Sequence, residues 1–511
     1  MKKKSLLLCS GLALLSVGSL SGCAGLQNTN NIIVWVGSES VEYYRDLQKQ
    51  FLAENPEFGY KITIVGADTG SVGGQMVADN TSCGDIVTIA HDNIGKLSRV
   101  SYIAPIVDSD EVSKELLDQI DADNPESFKK VIKNIYGENR DYEYVFAAPY
   151  ISQALFLYYD TRYVTDTEAD SFEGLIAAAQ RYDQQNGVTK TKSYTVTGND
   201  GFNFTFSLLA RNIQGGGNSS SLRLYVDDGT KTDDKGVRYD SYCQTNEEVA
   251  VMRWMQRNYK NPNGGLLESD SPWATNIEQH KALSVIGGAW HYNSFKKAVT
   301  DDSGVHMGCK VIPTFTLTAQ DVAGIEQVTV PNDSYISAIA GHTDPAPQPN
   351  TLMRGGSFVD CKAFVINMAK MTGPEKYYKM CQIIKYFSTK QAQNESFLKA
   401  LNVPAYEGAE EYIESVKDQV DETAYKMAKA QTGMSPYGIA QPITNATLNT
   451  FYYQKDAPKY YLECVKNDDG KYGTVEAVRK QLFRIEYVWK HGGLPASDPS
   501  SFPSETSTSR D

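Results

Sequence analysis

The chain has 511 residues, which predicts two or more domains because one domain usually spans about 100–200 residues. Hydrophobic residues make up 41% and charged residues 22%, as in globular proteins with a full core, so a disordered or fibrous chain is excluded. Lys and Arg total 49 against 62 Asp and Glu, and this net charge of −13 argues against nucleic acid as a partner.

The first segment has the pattern of an export signal. Three lysines, Lys2 to Lys4, precede an apolar stretch, Ser5 to Val17, that is too short to span a bilayer permanently. It ends in Leu20-Ser21-Gly22-Cys23, which resembles the lipobox of bacterial lipoproteins. The resemblance implies a signal peptide over residues 1–22, a Cys23 that carries lipid such as palmitate, and a tether over 23–30.

We therefore expect an extracytoplasmic protein that is lipid-anchored to the bacterial cell membrane. An ordinary secretory signal with a chance cysteine and a single-pass anchor are the alternatives. No later stretch is long and apolar enough to cross a bilayer.

Six further cysteines are widely spaced and include no Cys-x-x-Cys pair. This spacing does not predict a zinc knuckle or a thioredoxin-type site, and we expect no metal and no cofactor. Export permits disulfides, but a core of this size does not need them, so we prefer buried free thiols to disulfides. The six residues are Cys83, Cys243, Cys309, Cys361, Cys381 and Cys464.

Strand and helix patterns alternate from residue 31 onward. The apolar run Ile32 to Val36 predicts a buried parallel strand, and the patterns of 61–65 and 85–90 predict two more. Between the first two, apolar residues recur at helical spacing at Val41, Tyr44, Leu47 and Phe51. This order predicts a doubly wound α/β lobe, whose ligands bind beyond the carboxyl ends of its strands.

A second α/β section follows the run Val145 to Pro149 and begins with a strand over Ala154 to Tyr159. A polar, Gly-rich hairpin segment, Gly215 to Tyr239, interrupts this section. Helical patterns dominate Glu410 to Lys429 and Val475 to Trp489. The Ser-, Pro- and Thr-rich tail over 496–511 is expected to be disordered.

Six short motifs together point to a known family. In chain order they are Ile33-Val34-Trp35, Asp85 to Asp92, Ala148-Pro149-Tyr150, Gly287-Gly288-Ala289-Trp290, Val311 to Phe315 and Gly355-Gly356-Ser357. Each motif is short, but their shared order resembles the extracellular solute-binding proteins of bacterial ABC importers, specifically the maltodextrin-binding-like group. The resemblance covers about residues 31–390.

The resemblance implies an α/β, two-lobed, periplasmic-binding-protein-like (type II) fold with hinge strands and an interlobe cleft. Lobe 1 would comprise residues 31–150 plus 356–403, and lobe 2 residues 151–355 plus 404–495. Such a protein closes on one ligand by hinge bending and presents the closed form to ABC transporter permease subunits. We expect a monomer that binds and transports a small-molecule sugar and has no catalytic residues.

The family's sugar-stacking residue matches Trp290, whose indole face suits the C–H face of a pyranose. Tyr292 is a weaker second candidate. Asn203 and Phe204 fall near the family's second aromatic loop. Packing inside the protein is the alternative for these aromatic side chains, and an ordinary loop position is the alternative for Asn203.

Polar ligand contacts are expected after the first strands. Asp92 and Asn93 follow the strand over 85–90, where a carboxylate and an amide can bond adjacent sugar hydroxyls. Asp92 could instead cap the next helix, and His91 is expected to pack or to orient the loop. Glu39 matches an acidic sugar ligand of the family, or else it is a solvated or helix-capping carboxylate. Gln153 stands where the group has Glu.

The chain also departs from the group. Ile89 replaces an aromatic residue, Gly201 to Phe204 lacks the acid of the family's Glu-Pro-Tyr-Phe loop, and the segment 318–354 is longer than usual. These differences favour a neutral, maltodextrin-like oligosaccharide over maltose itself. An Arg/Lys cluster, which a phosphorylated ligand would want, is not expected at the strand ends.

Other functions remain as alternatives. Ser294-x-x-Lys297 matches the serine-lysine spacing of penicillin-recognising enzymes, but its partner motifs are missing from the sequence. Glu39 and Asp92 could form a glycosidase pair on a cell-surface glycan-active hydrolase. An importer receptor for a peptide or polyamine, and a receptor or adhesin that imports nothing, would keep the same fold.

Overall fold

The computed structural model describes residues 30–136, 139–197, 206–214, 225–226, 240–241, 245–266, 272–330, 341–440, 456–467 and 471–491. Predictions on Cys23, Asn203 and Phe204, on Cys243, and on the tail over 496–511 therefore lie outside the described residues.

One mixed sheet of eleven strands runs through the described residues. Its strands are β1 (Asn31–Gly37), β2 (Lys61–Ala67), β3 (Ile86–Ala90), β4 (Ile103–Ala104), β5 (Ala148–Asp160), β6 (Tyr194–Val196), β7 (Gly265–Leu266), β8 (Ser284–Gly288), β9 (Met307–Lys310), β10 (Ser357–Asn367) and β11 (Gly438–Ala440). The strand order is β7-β6-β8-β5-β10-β3-β1-β2, with β9 on β5 and with β4 and β11 on β10.

Helices alternate with these strands along the described chain. They are α1 (Val41–Glu54), α2 (Val72–Asp79), α3 (Ile94–Arg99), α4 (Glu111–Asp123), α5 (Glu126–Val131), α6 (Phe172–Asn186), α7 (Asn246–Lys260), α8 (Trp273–Glu278), α9 (Tyr292–Ala298), α10 (Ala319–Val322), α11 (Pro374–Phe387), α12 (Lys390–Ala400), α13 (Ala409–Ser415), α14 (Glu422–Thr432), α15 (Asp456–Lys466) and α16 (Val475–His491). Among the described helices, none combines the length and the apolarity that a bilayer crossing requires.

Five smaller sheets accompany the eleven-stranded sheet in the described residues. Two-stranded ribbons join Lys133–Tyr136 to Asn139–Val145, Tyr225–Val226 to Asp240–Ser241, Thr300–Asp301 to Gly304–Val305, and Val328–Thr329 to Thr343–Asp344. A three-stranded sheet joins Thr314–Thr316, Leu352–Arg354 and Arg211–Asn212.

The apolar patterns of the sequence explain the first elements. In β1, Ile32, Val34 and Val36 occupy alternate positions and are fully buried, as a strand's period of two requires. The helix α1 buries Tyr44, Leu47 and Phe51 on one face against the sheet, as predicted. Because β1 pairs in parallel with β2 and β3, the carboxyl ends of these strands lie at one edge.

Two apolar clusters divide the described residues into two lobes. One cluster draws on residues 32–151 and 361–405, and the other on residues 154–358 and 397–485. The predicted two-lobed α/β fold is confirmed, and the predicted residue boundaries of the lobes stay a prediction.

Two long strands pass from one lobe to the other. β5 pairs with β10 over Ala148 to Ala154 and with β8 from Leu155 onward, so its first half belongs to lobe 1 and its second half to lobe 2. The sequence pattern had suggested two separate segments here, but one strand of 13 residues forms instead. Most of its residues are apolar or aromatic, and Ser152, Gln153 and Asp160 are the exceptions, which favours a buried strand.

Two other predicted elements are interrupted. The motif Val311 to Phe315, which corresponds to a strand in the resembled family, is a strand only at Thr314 and Phe315, where Thr314–Thr316 joins the three-stranded sheet. Pro313 directly before it has no N–H for a ladder hydrogen bond. The helical pattern from Glu410 to Lys429 divides because Val420 is extended and Asp421 starts α14 by accepting a hydrogen bond from the Ala424 N–H.

The five described cysteines, Cys83, Cys309, Cys361, Cys381 and Cys464, are all free and buried.

Candidate functional site

Polar turns follow three strands of the main sheet. Short 3-10 turns begin after β1, β3 and β8 and span Ser38–Ser40, His91–Asn93 and Ala289–His291. These turns hold Glu39, Asp92 with Asn93, and Trp290. The carboxyl ends of strands in such sheets are where ligands bind, so the three turns define the candidate site.

The strand register places Gln153 between these turns. Gln153 lies opposite Asp360 across β5 and β10, and its neighbour Leu155 lies opposite Gly288, two residues before Trp290. Residues two apart on a strand share a face and lie about 7 Å from each other. The turn with Trp290 and the pair Gln153–Asp360 are therefore close in space, at the junction of the two lobes.

A buried charged cluster surrounds this junction. Asp360 Oδ1 lies 2.8 Å from His91 Nδ1, and Asp360 Oδ2 accepts a hydrogen bond from Lys362 Nζ at 3.0 Å. The His91 ring is fully buried, and the side chain of Asp360 is 9% exposed. His91 therefore joins the turn after β3 to the crossing strand β10, which fits the orienting role expected for it.

Sequence reasoning missed Asp360 and Lys362, as well as the buried Lys96. Lys96 and Lys362 both lie at this strand end, contrary to our expectation that no cationic cluster would be found there. A signal was present, because Asp360 and Lys362 are charged residues at alternate positions of an otherwise apolar strand. Charged residues on a buried strand are uncommon unless they are paired or functional.

The pKa values of the two aspartates move in opposite directions. Burial alone would raise the pKa of Asp360, but Lys362 and His91 outweigh burial and hold it below its usual range. Burial raises the pKa of Asp92, and the charge of Asp360 raises it further, against the opposing effect of His91, Lys96 and Lys362. Asp360 is thus the fixed counter-ion, and Asp92 is the carboxyl group whose charge lacks full compensation.

Three predicted polar residues keep hydrogen-bonding capacity within the described part of the chain. Asp92 Oδ1 accepts from Asn93 Nδ2 at 2.8 Å, whereas Asp92 Oδ2 has no donor there. The half-buried amide of Gln153 and the exposed carboxylate of Glu39 also make no hydrogen bond with described residues. Such groups can bond a polar ligand without first breaking a bond inside the protein.

Asn93 and Tyr292 are already engaged. Asn93 is 4% exposed, and its amide nitrogen also donates to the carbonyl oxygen of Ala90 at 3.2 Å. The Tyr292 hydroxyl lies 3.0 Å from Asp421 Oδ1 and 2.7 Å from Thr423 Oγ1, which joins α9 to the start of α14. Tyr292 is 4% exposed, so little of its ring is open to a ligand.

Trp290 is the large exposed side chain of the site. Its indole is 46% exposed and lies against Gly288, since a Cβ atom at Gly288 would be 2.1 Å from Trp290 Cζ3. The His291 ring centroid lies 5.4 Å from that of Trp290, and Trp273 packs edge-on against His291 at 5.3 Å. Burial lowers the pKa of His291 to about 4, so its ring is neutral at pH 7. The Trp290 indole therefore packs against a neutral His291 ring, which in turn packs against Trp273.

Two side-chain pairs that could suggest a nucleophile lie in this region. Ser294 and Lys297 are both exposed on the surface of α9, without the buried nucleophile that their spacing could suggest. Cys361 and His91 are in contact beside Asp360, but burial raises the pKa of the Cys361 thiol and both side chains are fully enclosed. Among the described residues, no cluster of His, Cys, Asp and Glu could hold a metal ion.

A groove of about 190 Å³ lies elsewhere on lobe 1, between α1, α11 and α12. Leu47, Gln50, Glu54 and Tyr386 are among its lining residues. No strand of the sheet ends there, so the groove is not the candidate site.

Comparisons with known proteins agree with this architecture. The family model of the bacterial extracellular solute-binding protein matches residues 46–424. The solved structure of the maltodextrin-binding protein MalE1 from L. casei BL23 without ligand has a TM-score of 0.59 and 15% identity, with 90% of this chain and 98% of that chain covered. A structure solved with acarbose has a TM-score of 0.60 and 16% identity, with 89% and 97% covered.

No curated protein matched the sequence. At 15–16% identity, the structural similarity establishes the fold alone. The family match covers most of the chain, from α1 through the crossing strands to the start of α14. The chain therefore belongs to the bacterial extracellular solute-binding protein family.

Proposed function

We propose that this protein captures a neutral, maltodextrin-like oligosaccharide between its lobes and delivers it to an ABC permease. One observation carries the proposal: Gln153 lies opposite Asp360 at the lobe junction, Asp92 interacts with the same Asp360, and the turn with the exposed Trp290 follows the strand residue opposite Leu155. Both Gln153 and Asp92 keep open hydrogen-bonding capacity. Sugars need this combination, because each pyranose has a hydroxyl edge and an apolar C–H face.

The proposed contacts divide by chemistry. Trp290 stacks on a sugar ring, while Glu39, Asp92 and Gln153 bond hydroxyl groups. Asn93 acts through Asp92, to which it donates a hydrogen bond. Asn203 and Phe204, which lie outside the described residues, are proposed to extend the lobe 2 side, and Tyr292 stays a prediction.

Two lysines near the site do not require an anionic ligand. Lys362 is paired with Asp360 at 3.0 Å, and Lys96 lies near Asp92, with which it interacts electrostatically. Lys96 and Lys362 balance the charges of Asp92 and Asp360 when all four are ionised. Burial lowers the pKa of His91, but Cys361 and Asp360 raise it well above its usual range, so His91 adds a positive charge when it is protonated. The two lysines have carboxylates of the protein as counter-ions and therefore need no anionic ligand.

Hinge closure would follow from the crossing strands β5 and β10. A ligand that contacts both lobes stabilises the closed form over the open form by the contacts that exist only in the closed form. The proposed lipid on Cys23 would keep the protein at the outer face of the membrane beside the permease. Replacement of Cys23 by Ser should release the protein from membrane fractions, and retention of the variant would argue for another anchor.

Calorimetric titration of the wild-type protein tests the sugar proposal. The panel should contain maltose to maltohexaose, a uronate-containing disaccharide, spermidine and a tripeptide. Binding of a neutral oligosaccharide supports the proposal, whereas binding of only a charged ligand contradicts it. The titrated sugars should also be recovered and analysed, because hydrolysed products would establish the glycan-active hydrolase instead.

A further inference from the structure

Lys96 is a buried lysine for which the described residues supply no partner. It lies on α3, directly after the turn His91–Asn93, and is 7% exposed. Within the described ranges, no acceptor bonds its ammonium group and no carboxylate lies within the 4.0 Å of an ion pair. The other lysines of similar burial are paired, since Lys362 Nζ contacts Asp360 at 3.0 Å and Lys376 Nζ contacts Asp85 at 2.5 Å.

Burial of the Lys96 ammonium group without a hydrogen-bond partner costs desolvation free energy when no ligand is bound. An ammonium group has three donors and no acceptor, so it needs oxygen or nitrogen acceptors in place of the water it has lost. Buried charges are normally paired or hydrogen-bonded because desolvation is otherwise uncompensated. Burial indeed lowers the pKa of Lys96, with only Asp92 acting against it.

Asp92 presents the complementary feature four residues earlier. Residues four apart on a helical segment lie on the same face, so Asp92 and Lys96 are neighbours. Asp92 Oδ2 has no donor among the described residues, and Asp92 and Lys96 influence each other's charge without forming an ion pair. The acceptor Asp92 Oδ2 and the donor Lys96 Nζ thus lie near each other, but too far apart to form a direct hydrogen bond.

We propose that Lys96 is a further ligand-binding residue, which together with Asp92 holds one hydroxyl group of the bound sugar. A hydroxyl group is both donor and acceptor, so it can donate to Asp92 Oδ2 and accept from Lys96 Nζ. Charge-assisted hydrogen bonds of this kind are stronger than neutral ones and define the hydroxyl's position. This inference rests on the proposed function, since it assigns the class of group that the site takes.

Calorimetric titration of variants with the sugar that the wild type binds most tightly tests the inference. Lys96→Met keeps the side chain's length and removes its charge and donors, and its affinity should fall at least tenfold. Lys96→Arg, which keeps a cationic donor, should retain more affinity than Lys96→Met. Lys376→Met removes a lysine of equal burial that is paired away from the site, so it should lower the melting temperature and leave the affinity unchanged.

A monodeoxy series of the same sugar identifies the hydroxyl. One deoxy position should weaken binding to the wild type and have no further effect on Lys96→Met, because the bridging group is already unpaired there. Equal losses in both proteins at every position would overturn the bridge. Should Lys96→Met unfold below the titration temperature, Lys96→Gln takes its place in both measurements.

The outcomes separate the two claims. If the wild type binds no neutral sugar, the proposed function fails. If the wild type binds a sugar and the folded Lys96→Met protein binds it within twofold of the wild type, the proposed function stands and the assignment of Lys96 is wrong.

Discussion

Gln153 lies directly opposite Asp360 in the antiparallel register of β5 and β10. Asp360 is fixed by Lys362 and His91, whereas the amide of Gln153 makes no hydrogen bond with described residues. A side chain whose hydrogen bonds are made and one whose hydrogen bonds are open to a ligand therefore face each other where the lobes join. This contrast separates side chains that hold the junction together from those available to a ligand.

Trp290→Ala should weaken sugar binding at least tenfold without unfolding the protein. The indole is 46% exposed, so its removal should cost less than about 1 kcal/mol of unfolding free energy, as at other partly exposed positions. Calorimetry and thermal melts measure the two effects. Trp254→Ala is the control: Trp254 is 1% exposed in lobe 2, and its loss should cost about 3–5 kcal/mol. Unchanged affinity in Trp290→Ala would remove Trp290 from the site.

Gly288→Ala should displace the Trp290 indole, which packs against Gly288. The new Cβ atom would lie 2.1 Å from Trp290 Cζ3, so the ring has to move away from its present position. We expect a severalfold loss of affinity and a shifted tryptophan emission spectrum. Gly74→Ala, on α2, meets nothing within 4 Å and should leave both readouts unchanged. Wild-type affinity in Gly288→Ala would show that the packing of the Trp290 indole against Gly288 does not matter for binding.

Tyr292→Phe distinguishes packing from ligand contact. The hydroxyl bonds Asp421 and Thr423, so its removal should cost about 0.5–1.5 kcal/mol of unfolding free energy. Affinity should stay that of the wild type, because the residue is 4% exposed. Denaturant unfolding and calorimetry measure the two effects. A loss of affinity with normal stability would restore Tyr292 as a ligand contact.

Acid should weaken the junction through Asp360. The pKa of Asp360 is lowered to about 2, below the ordinary value of about 3.9, so its ionisation stabilises the folded state above pH 4 or so. This contribution is lost as the pH falls from about 4 to about 2, because the unfolded chain then takes up the proton more readily.

Lys362→Met should therefore raise the pKa of Asp360 and flatten this acid limb of the stability curve, besides costing about 3–5 kcal/mol at neutral pH. Lys426→Met breaks the exposed pair with Glu422 and should cost at most about 0.5 kcal/mol. Urea unfolding at several pH values provides the curves. An acid limb that is identical in wild type and Lys362→Met would refute the role of the pair.

The fold was predictable where periodicity was strong. The apolar runs of β1 and β3 and the helical spacing of α1 predicted their elements, because β1 and α1 each bury one face and β3 is buried throughout. The continuity of β5 and the sheet that Thr314–Thr316 joins depend on which strand pairs with which. Such pairing is decided by residues far apart in sequence and leaves no local signal.

The candidate site was predictable in part for the same reason. Asp92 and Trp290 follow strands, and strand ends can be read locally. Lys96 and Lys362 gain their meaning only from Asp92 and Asp360, which the fold brings near them. Likewise, the hydrogen bonds of Tyr292 depend on α14, which begins 130 residues later in the chain.

β5 runs unbroken from one lobe to the other, and together with β10 it would form the hinge of the proposed closure. Residues near a hinge axis move little, so in the proposed closure Gln153 would meet the sugar with nearly the same geometry in the open and the closed form. Asp92 and Trp290 lie in turns that follow strands of different lobes. In the proposed closure, Trp290 and Asp92 would therefore favour the closed form, whereas the Gln153 amide would contribute similar affinity to the open and the closed form.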